Sequence, residues 1–120
     1  MAEQTNTMQI LEKPITIAEL VSIAESGFGE MVKAVVDVDL EIIAIDAELH
    51  SDLEALCLEN NSKQENLWGI NYYPEMEDED FIEYDSMINI RPAQGNRSRD
   101  VEDESIRRKI VEITNKWITK

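Results

Sequence analysis

Few residues in this sequence can form cross-links or bind transition metals, because it contains one cysteine, Cys57, and one histidine, His50. A single cysteine excludes an internal disulfide, which is typical of intracellular proteins. No second histidine stands at a metal-ligand spacing from His50, and the acidic run at residues 77–80 lacks the pattern of an EF-hand. The sequence therefore predicts neither a metal site nor a cofactor.

Long hydrophobic runs are also absent. No positively charged segment followed by an apolar stretch opens the sequence, and no apolar run is long enough to cross a bilayer. Together with the single cysteine, this predicts a cytoplasmic protein without a membrane association. Glycine-rich phosphate loops and the glycines of a nucleophile elbow are missing as well. The sequence therefore names no catalytic residue.

Basic residues are scarce, with 11 lysines and arginines against 26 aspartates and glutamates, for a net charge of −15. Residues 1–90 hold 21 acids and 3 bases, a net of −18, whereas residues 91–120 hold 5 acids and 8 bases, a net of +3. This balance excludes generic binding to nucleic acid or to anionic membranes. It predicts that the basic last quarter packs against the acidic remainder of the chain.

What the sequence does contain is enough apolar material for one ordinary domain. It has 120 residues, of which 42% are hydrophobic and 31% charged, both near the norm for globular proteins. We predict a disordered segment at residues 1–7 and a single α+β domain over residues 8–120. The domain is expected to contain a largely antiparallel sheet of about five strands, with about three helices lying mainly on one face.

Hydrophobic periodicity and capping signals divide the domain into elements. Thr16 and Glu19 form a capping-box pattern before a helix at residues 17–26. A second helix starts at a Ser51 or Asp52 cap and runs to about residue 60, and a third follows an Asp100 cap and buries the stripe of Ile106, Ile110, Ile113 and Trp117. Strands are predicted at residues 8–12, 31–38, 40–46, 67–73 and 81–90, with a solvated hairpin loop at residues 75–80. In the last of these, Ser86 marks either a bulge or a break between two short strands.

The loop at residues 91–99 is the first candidate site. It combines Arg91, Arg97 and Arg99 with Gln94 and Asn96, and it precedes a predicted helix start. Arginine forks and the free N–H groups of a helix start both attract phosphate or carboxylate groups. We therefore consider a small anionic ligand, held by these five side chains together with Asn71 and Asn89. The alternative is that the arginines pair with the surplus carboxylates of the chain itself.

Two further candidates come from the sheet and from His50. Alternation along the strands predicts a polar groove formed by Asn71, Glu83, Asp85, Asn89 and Arg91, next to the arginine loop. His50 follows Asp46 and Glu48 and precedes Asp52, so it has the surroundings of a general base, although a structural or solvent-exposed histidine is the competing interpretation. Cys57 lies on an apolar helical stripe and is assigned to the core.

Three segments of the chain resemble a known family. They are residues 62–75 (SKQENLWGINYYPE), residues 86–99 (SMINIRPAQGNRSR) and residues 31–37 (MVKAVVD). In these motifs the sequence resembles a family of small bacterial proteins of unknown function that is common in cyanobacteria and other bacteria. The resemblance extends from about Ile15 to Ile118. It implies a bacterial cytoplasmic protein, and it carries no activity, substrate or catalytic residue.

Three hypotheses about function follow. The leading one is a non-enzymatic binding or interaction module that uses residues 62–99 to hold a protein partner or a small anionic ligand. The second is a small enzyme whose site combines Arg91, Asn96 and Arg97 with acids of the sheet such as Asp85. The third is an acidic protein that mimics nucleic acid and blocks a basic partner. A homodimer formed through the mixed face of the sheet is compatible with all three.

Overall fold

A computed structural model describes residues 7–120 of the chain, and these residues form an antiparallel sheet with three helices. The helices are α1 (Ile17–Ser26), α2 (His50–Glu59) and α3 (Glu104–Trp117). The strands are β1 (Gln9–Ile10), β2 (Ile15–Thr16), β3 (Val32–Asp37), β4 (Ile42–Ile45), β5 (Leu67–Tyr72), β6 (Ile82–Glu83) and β7 (Ile118–Thr119). The predicted α+β class is confirmed. The segment predicted to be disordered lies outside the described residues, apart from Thr7.

The main sheet has five strands in the order β1-β4-β3-β5-β6, with every neighbouring pair antiparallel. The valine-rich β3 is its central strand. The turn from β3 to β4 is shaped by Asp37, whose Oδ1 accepts hydrogen bonds from the N–H groups of Asp39 (2.8 Å) and Leu40 (2.9 Å). The predicted hairpin and the interior position of the strand at residues 40–46 are therefore confirmed.

Helices cover both faces of the sheet, two on one side and one on the other. Val32, Ala34 and Val36 of β3 belong to a core cluster that includes residues of α1 and α3. Val35 of the same strand packs in a second cluster with Leu53 of α2 and its neighbour Cys57. Because successive strand residues point to opposite faces, β3 is buried between these two layers.

The start of α1 follows the predicted capping box. The N–H of Glu19 donates to Thr16 Oγ1, and the N–H of Thr16 donates to Glu19 Oε1, both at 3.1 Å. The predicted start of α2 was wrong: the helix begins at His50, and its N-cap is Leu49, which makes no side-chain capping bond. His50 is buried at this position, so the packing of its ring extends the helix towards the N-terminus, past Ser51 and Asp52.

The long strand predicted at residues 81–90 was wrong in most of its length. Only Ile82–Glu83 pairs with β5, and a short 3-10 turn occupies Met87–Asn89. The chain leaves the sheet because the N–H of Ser86 donates to the carbonyl of Arg99 (3.0 Å), which turns the backbone towards the following loop. Alternating apolar residues alone did not reveal this long-range contact.

The last helix starts later than predicted. Asp103 is its N-cap and accepts from the N–H of Ser105 at 2.8 Å, whereas Asp100 accepts from the N–H of Val101. The buried stripe is confirmed, with Ile110 and Ile113 fully enclosed.

The sequence did not predict β2 and β7, which form a two-residue parallel pair. No helix in residues 7–120 is long and apolar enough to cross a membrane.

Candidate functional site

The side chains of the arginine loop are largely bonded to the protein itself. Arg91 donates from Nη2 to the carbonyl of Leu67 (2.6 Å) and from Nη1 to the carbonyl of Gln64, and its guanidinium lies 4.3 Å from the centre of the Trp68 ring. Gln94 Nε2 donates to the carbonyl of Glu65 at 3.1 Å. Both side chains thereby fasten the loop to the segment that leads into β5.

Asn96 is buried at the centre of this loop. Its Nδ2 donates to the carbonyls of Asn89 and Asp100, both at 2.7 Å, and its Oδ1 accepts from the N–H of Glu102 at 2.9 Å. The loop itself turns through Gly95, whose φ of +84° favours glycine. Asn96 therefore holds the loop in shape.

The remaining two arginines lie on the surface. Arg99 Nε pairs with Asp85 Oδ1 at 2.5 Å. Arg97 is exposed, and its backbone N–H donates to Glu102 Oε2 at 3.0 Å. The hydroxyl of Ser98 and the backbone N–H groups of Arg97 and Ser98 hold the pKa of Glu102 below its usual value. A carboxylate of the protein itself thus accepts the loop N–H groups of Arg97 and Ser98.

Asn89 and Asn71, the other predicted ligand residues, bond to different parts of the sheet. Asn89 is fully buried, and its amide bonds to the N–H (2.8 Å) and the carbonyl (2.9 Å) of Gly69. Asn71 Nδ2 donates to Glu83 Oε1 at 2.8 Å. Of the predicted groove, Asn71, Glu83 and Asp85 come together, since Asn71 also donates to the Asp85 carbonyl. Asn89 and Arg91 lie beside the beginning of β5, at Gly69 and Leu67.

The structure joins His50 to this second candidate. His50 is 8% exposed, and its Nε2 lies 2.8 Å from the carbonyl of Ile70, the residue before Asn71. Burial lowers the pKa of His50, because the charged imidazolium loses its solvation; the Ile70 carbonyl opposes this shift, and Lys33 adds to it. A neutral imidazole that donates from Nε2 to a carbonyl has a positioning role here.

A row of polar residues crosses the sheet beneath His50. Lys33 of β3 pairs in register with Asn71 of β5, which pairs with Glu83 of β6. Tyr73 donates to Glu83 Oε1 at 3.2 Å, and partial burial followed by the charge of Glu83 raises the pKa of Tyr73. Directly opposed residues share a face of the sheet. The row therefore marks the polar end of the face covered by α2.

At the Lys33 end of this row the surface opens into a cavity of about 690 Å³, which we call the acidic cleft. Its apolar lining includes Ile23, Phe28, Met31 and Val32, and its charged lining consists of Lys33, Asp46, Glu48 and Asp52. Val32 is buried and Met31 half-buried, whereas Glu48 and Asp52 are exposed. The cleft thus combines apolar lining residues with carboxylates, two of which are exposed to solvent.

The charges of the cleft favour a cation. One lysine against three carboxylates gives the lining a formal charge of −2. Lys33 Nζ lies 5.5 Å from the centre of the Phe28 ring, so the aromatic face already attracts one ammonium group. Among residues 7–120, no group of three or more histidine, cysteine or acidic side chains is arranged to hold a metal ion.

Sequence reasoning missed this cleft. Asp46, Glu48 and Asp52 were noted only as neighbours of His50. The cleft forms because α1 ends at residue 26 on one face of the sheet, while α2 begins at residue 50 on the other. The one local signal was Phe28, which stands between two glycines and precedes a strand, and this pattern does not identify a cavity.

A second, more open groove of about 1020 Å³ runs beside β1. We call it the sheet-edge groove; it is lined by residues 8–13, by Ile15, by Glu19, Ser22 and Ile23 of α1, and by Leu56 and Asn60 near the end of α2. It shares Met8 and Ile23 with the acidic cleft. The two cavities therefore form one continuous surface around the end and the edge of the sheet.

Comparison with known proteins identifies the chain at the level of its family. Residues 9–117 match the family described as "Protein of unknown function (DUF5674)". Neither the curated proteins nor the solved structures contain a significant match to the chain. Since the match includes every strand of the main sheet and all three helices, this chain belongs to the DUF5674 family.

Proposed function

We propose that the protein is a non-enzymatic binding module whose acidic cleft receives a positively charged group. The observation that carries the proposal is the composition of the cleft, which brings apolar Ile23, Met31 and Val32 together with the three carboxylates of Asp46, Glu48 and Asp52. A ligand that combines an apolar body with an ammonium or guanidinium group matches both parts.

The charge of the whole chain supports a basic partner. The net charge of −15 raises the local concentration of cations and repels anions over the surface as a whole. Inside a concave site that partly excludes water, each carboxylate attracts a cation more strongly than it does in bulk solvent. The hypothesis of an acidic mimic shares this expectation. A bacterial cytoplasmic setting is retained as a prediction of the sequence.

The two other hypotheses have less support. An anionic ligand at residues 91–99 would compete with the protein's own groups for Arg91, Gln94 and Asn96, which already bond to backbone carbonyls. The enzyme hypothesis needs the same Arg91 and Asn96, together with Arg97 and an acid such as Asp85. Asp85 is paired with Arg99. Use of His50 as a general base would need its ring to reach a substrate. His50 is buried, Nε2 faces the Ile70 carbonyl, and the ring lines neither of the two cavities.

The experiment is a titration of the ¹⁵N-labelled protein with phenethylammonium, an aromatic ring carrying one ammonium group, followed by NMR. We expect saturable shifts of amides that line the cleft, such as those of Phe28 and Ala47, with a Kd of about 1 mM for a ligand of this size. Phenethyl alcohol, which has a similar shape and no charge, should bind at least about fivefold more weakly, because it lacks the Coulomb attraction.

A matched pair of variants separates the cleft from the general charge. The triple variant Asp46→Asn, Glu48→Gln and Asp52→Asn should weaken phenethylammonium binding about tenfold. A control, Glu75→Gln with Glu77→Gln and Glu79→Gln, removes the same charge from an exposed loop and should leave the Kd within about twofold. Equal losses in both variants, or equal binding of the alcohol, would contradict the proposal.

A further inference from the structure

The outer edge of β1 presents unused backbone groups. Among residues 7–120, β1 is the first strand in the sheet order, and it pairs with β4 on one side only. The N–H of Leu11 donates to the carbonyl of Ile43 at 2.9 Å, so Leu11 points its backbone towards β4. Antiparallel pairs alternate between bonded and non-bonded positions. The N–H and C=O of Ile10 therefore point away from the sheet, into the sheet-edge groove.

The groove has the shape that an added strand requires. Its walls come from Ser22 and Ile23 of α1 and from Leu56 of α2, and these helices lie on opposite faces of the sheet. A groove that both helices border must therefore lie beyond β1, in the plane of the sheet. Neighbouring strands are spaced about 4.8 Å apart, so one extended chain fits beside β1 with its side chains directed towards the two helices.

The length of this edge sets the length of the segment. Pro14 has no N–H to donate, and it follows Lys13 at the end of the groove. The edge then comprises residues 9–12, which at about 3.3 Å per residue correspond to an added segment of about four residues. So short an edge does not favour the stacking of many copies.

The charge of the surface defines the partner. Glu12 and Glu19 against Lys13 give the groove a formal charge of −1, which adds to the −2 of the adjoining acidic cleft. A second copy of this chain carries the same −15 net charge and is repelled. A segment with basic side chains is attracted along the whole path from the groove to the cleft.

We infer that β1 is the receiving edge for a short, basic, extended segment of a partner protein, which pairs with the backbone of Ile10 and directs a lysine or arginine into the acidic cleft. The inference rests on the proposed function where it assigns the cleft to a positive group. Backbone pairing supplies affinity that does not depend on sequence, and the cleft selects the basic side chain.

The test uses a fluorescein-labelled heptapeptide of alternating lysine and valine with the full-length protein. An extended chain pairs through alternate residues, so only one of its two edges faces β1. Two further peptides carry backbone N-methyl groups, one on the valines and the other on the inner lysines. All three have the same charge. We expect one N-methylated peptide to bind at least about tenfold more weakly than the parent, and the other to bind within about threefold of it.

Amide exchange locates the pairing. In the free protein the Ile10 amide should exchange quickly, and a saturating amount of the parent peptide should slow it at least about tenfold, while the exposed Glu79 amide is unchanged. Slow exchange of the Ile10 amide without peptide would mean that the edge is already occupied, by a second copy if the protein sediments as a dimer or by the chain itself if it is monomeric. Either result overturns the inference.

The two proposals fail in different ways. Equal binding of all three peptides, or an equal loss in both N-methylated ones, would overturn strand addition and leave the phenethylammonium result unaffected. If phenethylammonium does not bind but the parent peptide protects Ile10 with the expected edge preference, strand pairing at β1 stands and the assignment of the cleft fails.

Discussion

His50 shows how one buried residue is committed to the fold. Its ring stands at the first position of α2 and bonds through Nε2 to the carbonyl of Ile70 in β5. A neutral imidazole with its proton on Nε2 makes this bond without a charge. Burial lowers the pKa of His50 below the ordinary value of 6.5, since the charged form is poorly solvated inside the protein.

This shift makes the contribution of His50 to stability depend on pH. Above the unfolded-state value of 6.5, both states hold a neutral ring, and the contribution is complete. As the pH falls through 6.5 towards the lower folded-state pKa, the unfolded chain takes up the proton first, and the folded state loses stability. We expect the difference in unfolding free energy between the wild type and His50→Gln to shrink from pH 7.5 to pH 5 in urea titrations.

The carboxylates common to the two proteins cancel in this difference, so the comparison isolates His50. Glutamine retains a side-chain N–H that can reach the Ile70 carbonyl, and it does not titrate. A difference that stays constant or grows as the pH falls would contradict the assignment of a lowered pKa.

Arg91 illustrates the limit of reasoning from residue type. The sequence leaves both anion binding and internal bonding open for Arg91 and favours internal bonding, because a guanidinium serves both and the chain has surplus carboxylates. The tertiary structure brings the carbonyls of Gln64 and Leu67 and the face of Trp68 within its reach. These partners lie more than 20 residues earlier in the chain, so local sequence does not reveal them.

At the scale of elements, the sheet edge next to β5 is closed partly by side chains in place of a strand. β6 pairs with only the last two residues of β5. Nearer the beginning of β5, the side-chain amide of Asn89 forms hydrogen bonds with the N–H and the carbonyl of Gly69, as a neighbouring strand residue would. Gly69 lets the segment that contains Ser86 and Asn89 pack this close to β5, because a Cβ at residue 69 would lie 2.5 Å from the Ser86 side chain.

Removing this amide should expose the cost of an unpaired edge. In Asn89→Ala, the buried N–H and carbonyl of Gly69 both lose their partner, and we expect a loss of about 3 kcal/mol in unfolding free energy. Urea denaturation followed by circular dichroism measures it. Asn115→Ala on the exposed side of α3 is the control, with an expected change below about 0.5 kcal/mol. A similar small change in both variants would show that water replaces the Asn89 amide.

Elements with local signals were predicted well from the sequence. The capping box of α1, the valine-rich β3 and the apolar stripe of α3 each depend on residues within one element. The strand predicted at residues 81–90 was wrong in most of its length, because Ser86 and Asn89 bond to the distant Arg99 and Asn89 also bonds to Gly69 of β5. The Asp100 cap was wrong for a local reason, since Asp103 caps the helix three residues later.

Across the whole molecule, the uneven charge of the chain is partly balanced by contacts with its basic last quarter. Lys109 and Lys116 both pair with Glu41 at the β3–β4 turn, at 2.8 and 3.3 Å, and Arg99 pairs with Asp85. The two lysines hold the pKa of Glu41 below its usual value, with Lys109 as the largest cause. The expected packing of basic against acidic segments is seen here, and most acids among residues 7–120 form no ion pair.

Self-repulsion should therefore dominate the response to salt. Raising NaCl from about 0.01 M to about 1 M shortens the Debye length from about 30 Å to about 3 Å. Because the net charge is −15, we expect the urea midpoint at pH 7 to rise, even though the surface ion pairs weaken. The loop variant Glu75→Gln, Glu77→Gln and Glu79→Gln should show a smaller rise. A midpoint that falls with salt would mean that the ion pairs outweigh the repulsion.

The sequence by itself determined the α+β class, the antiparallel hairpin of β3 and β4, most helix positions and the division of charge between residues 1–90 and 91–120. These follow from periodicity, capping and composition, which act over a few neighbouring residues. Only the tertiary structure decided that the polar side chains of residues 62–99 bond mostly to the protein, that His50 joins the Asn71 row, and that a cleft opens between the ends of α1 and α2. Each of these depends on segments distant in the chain that become neighbours only when both faces of the sheet are covered.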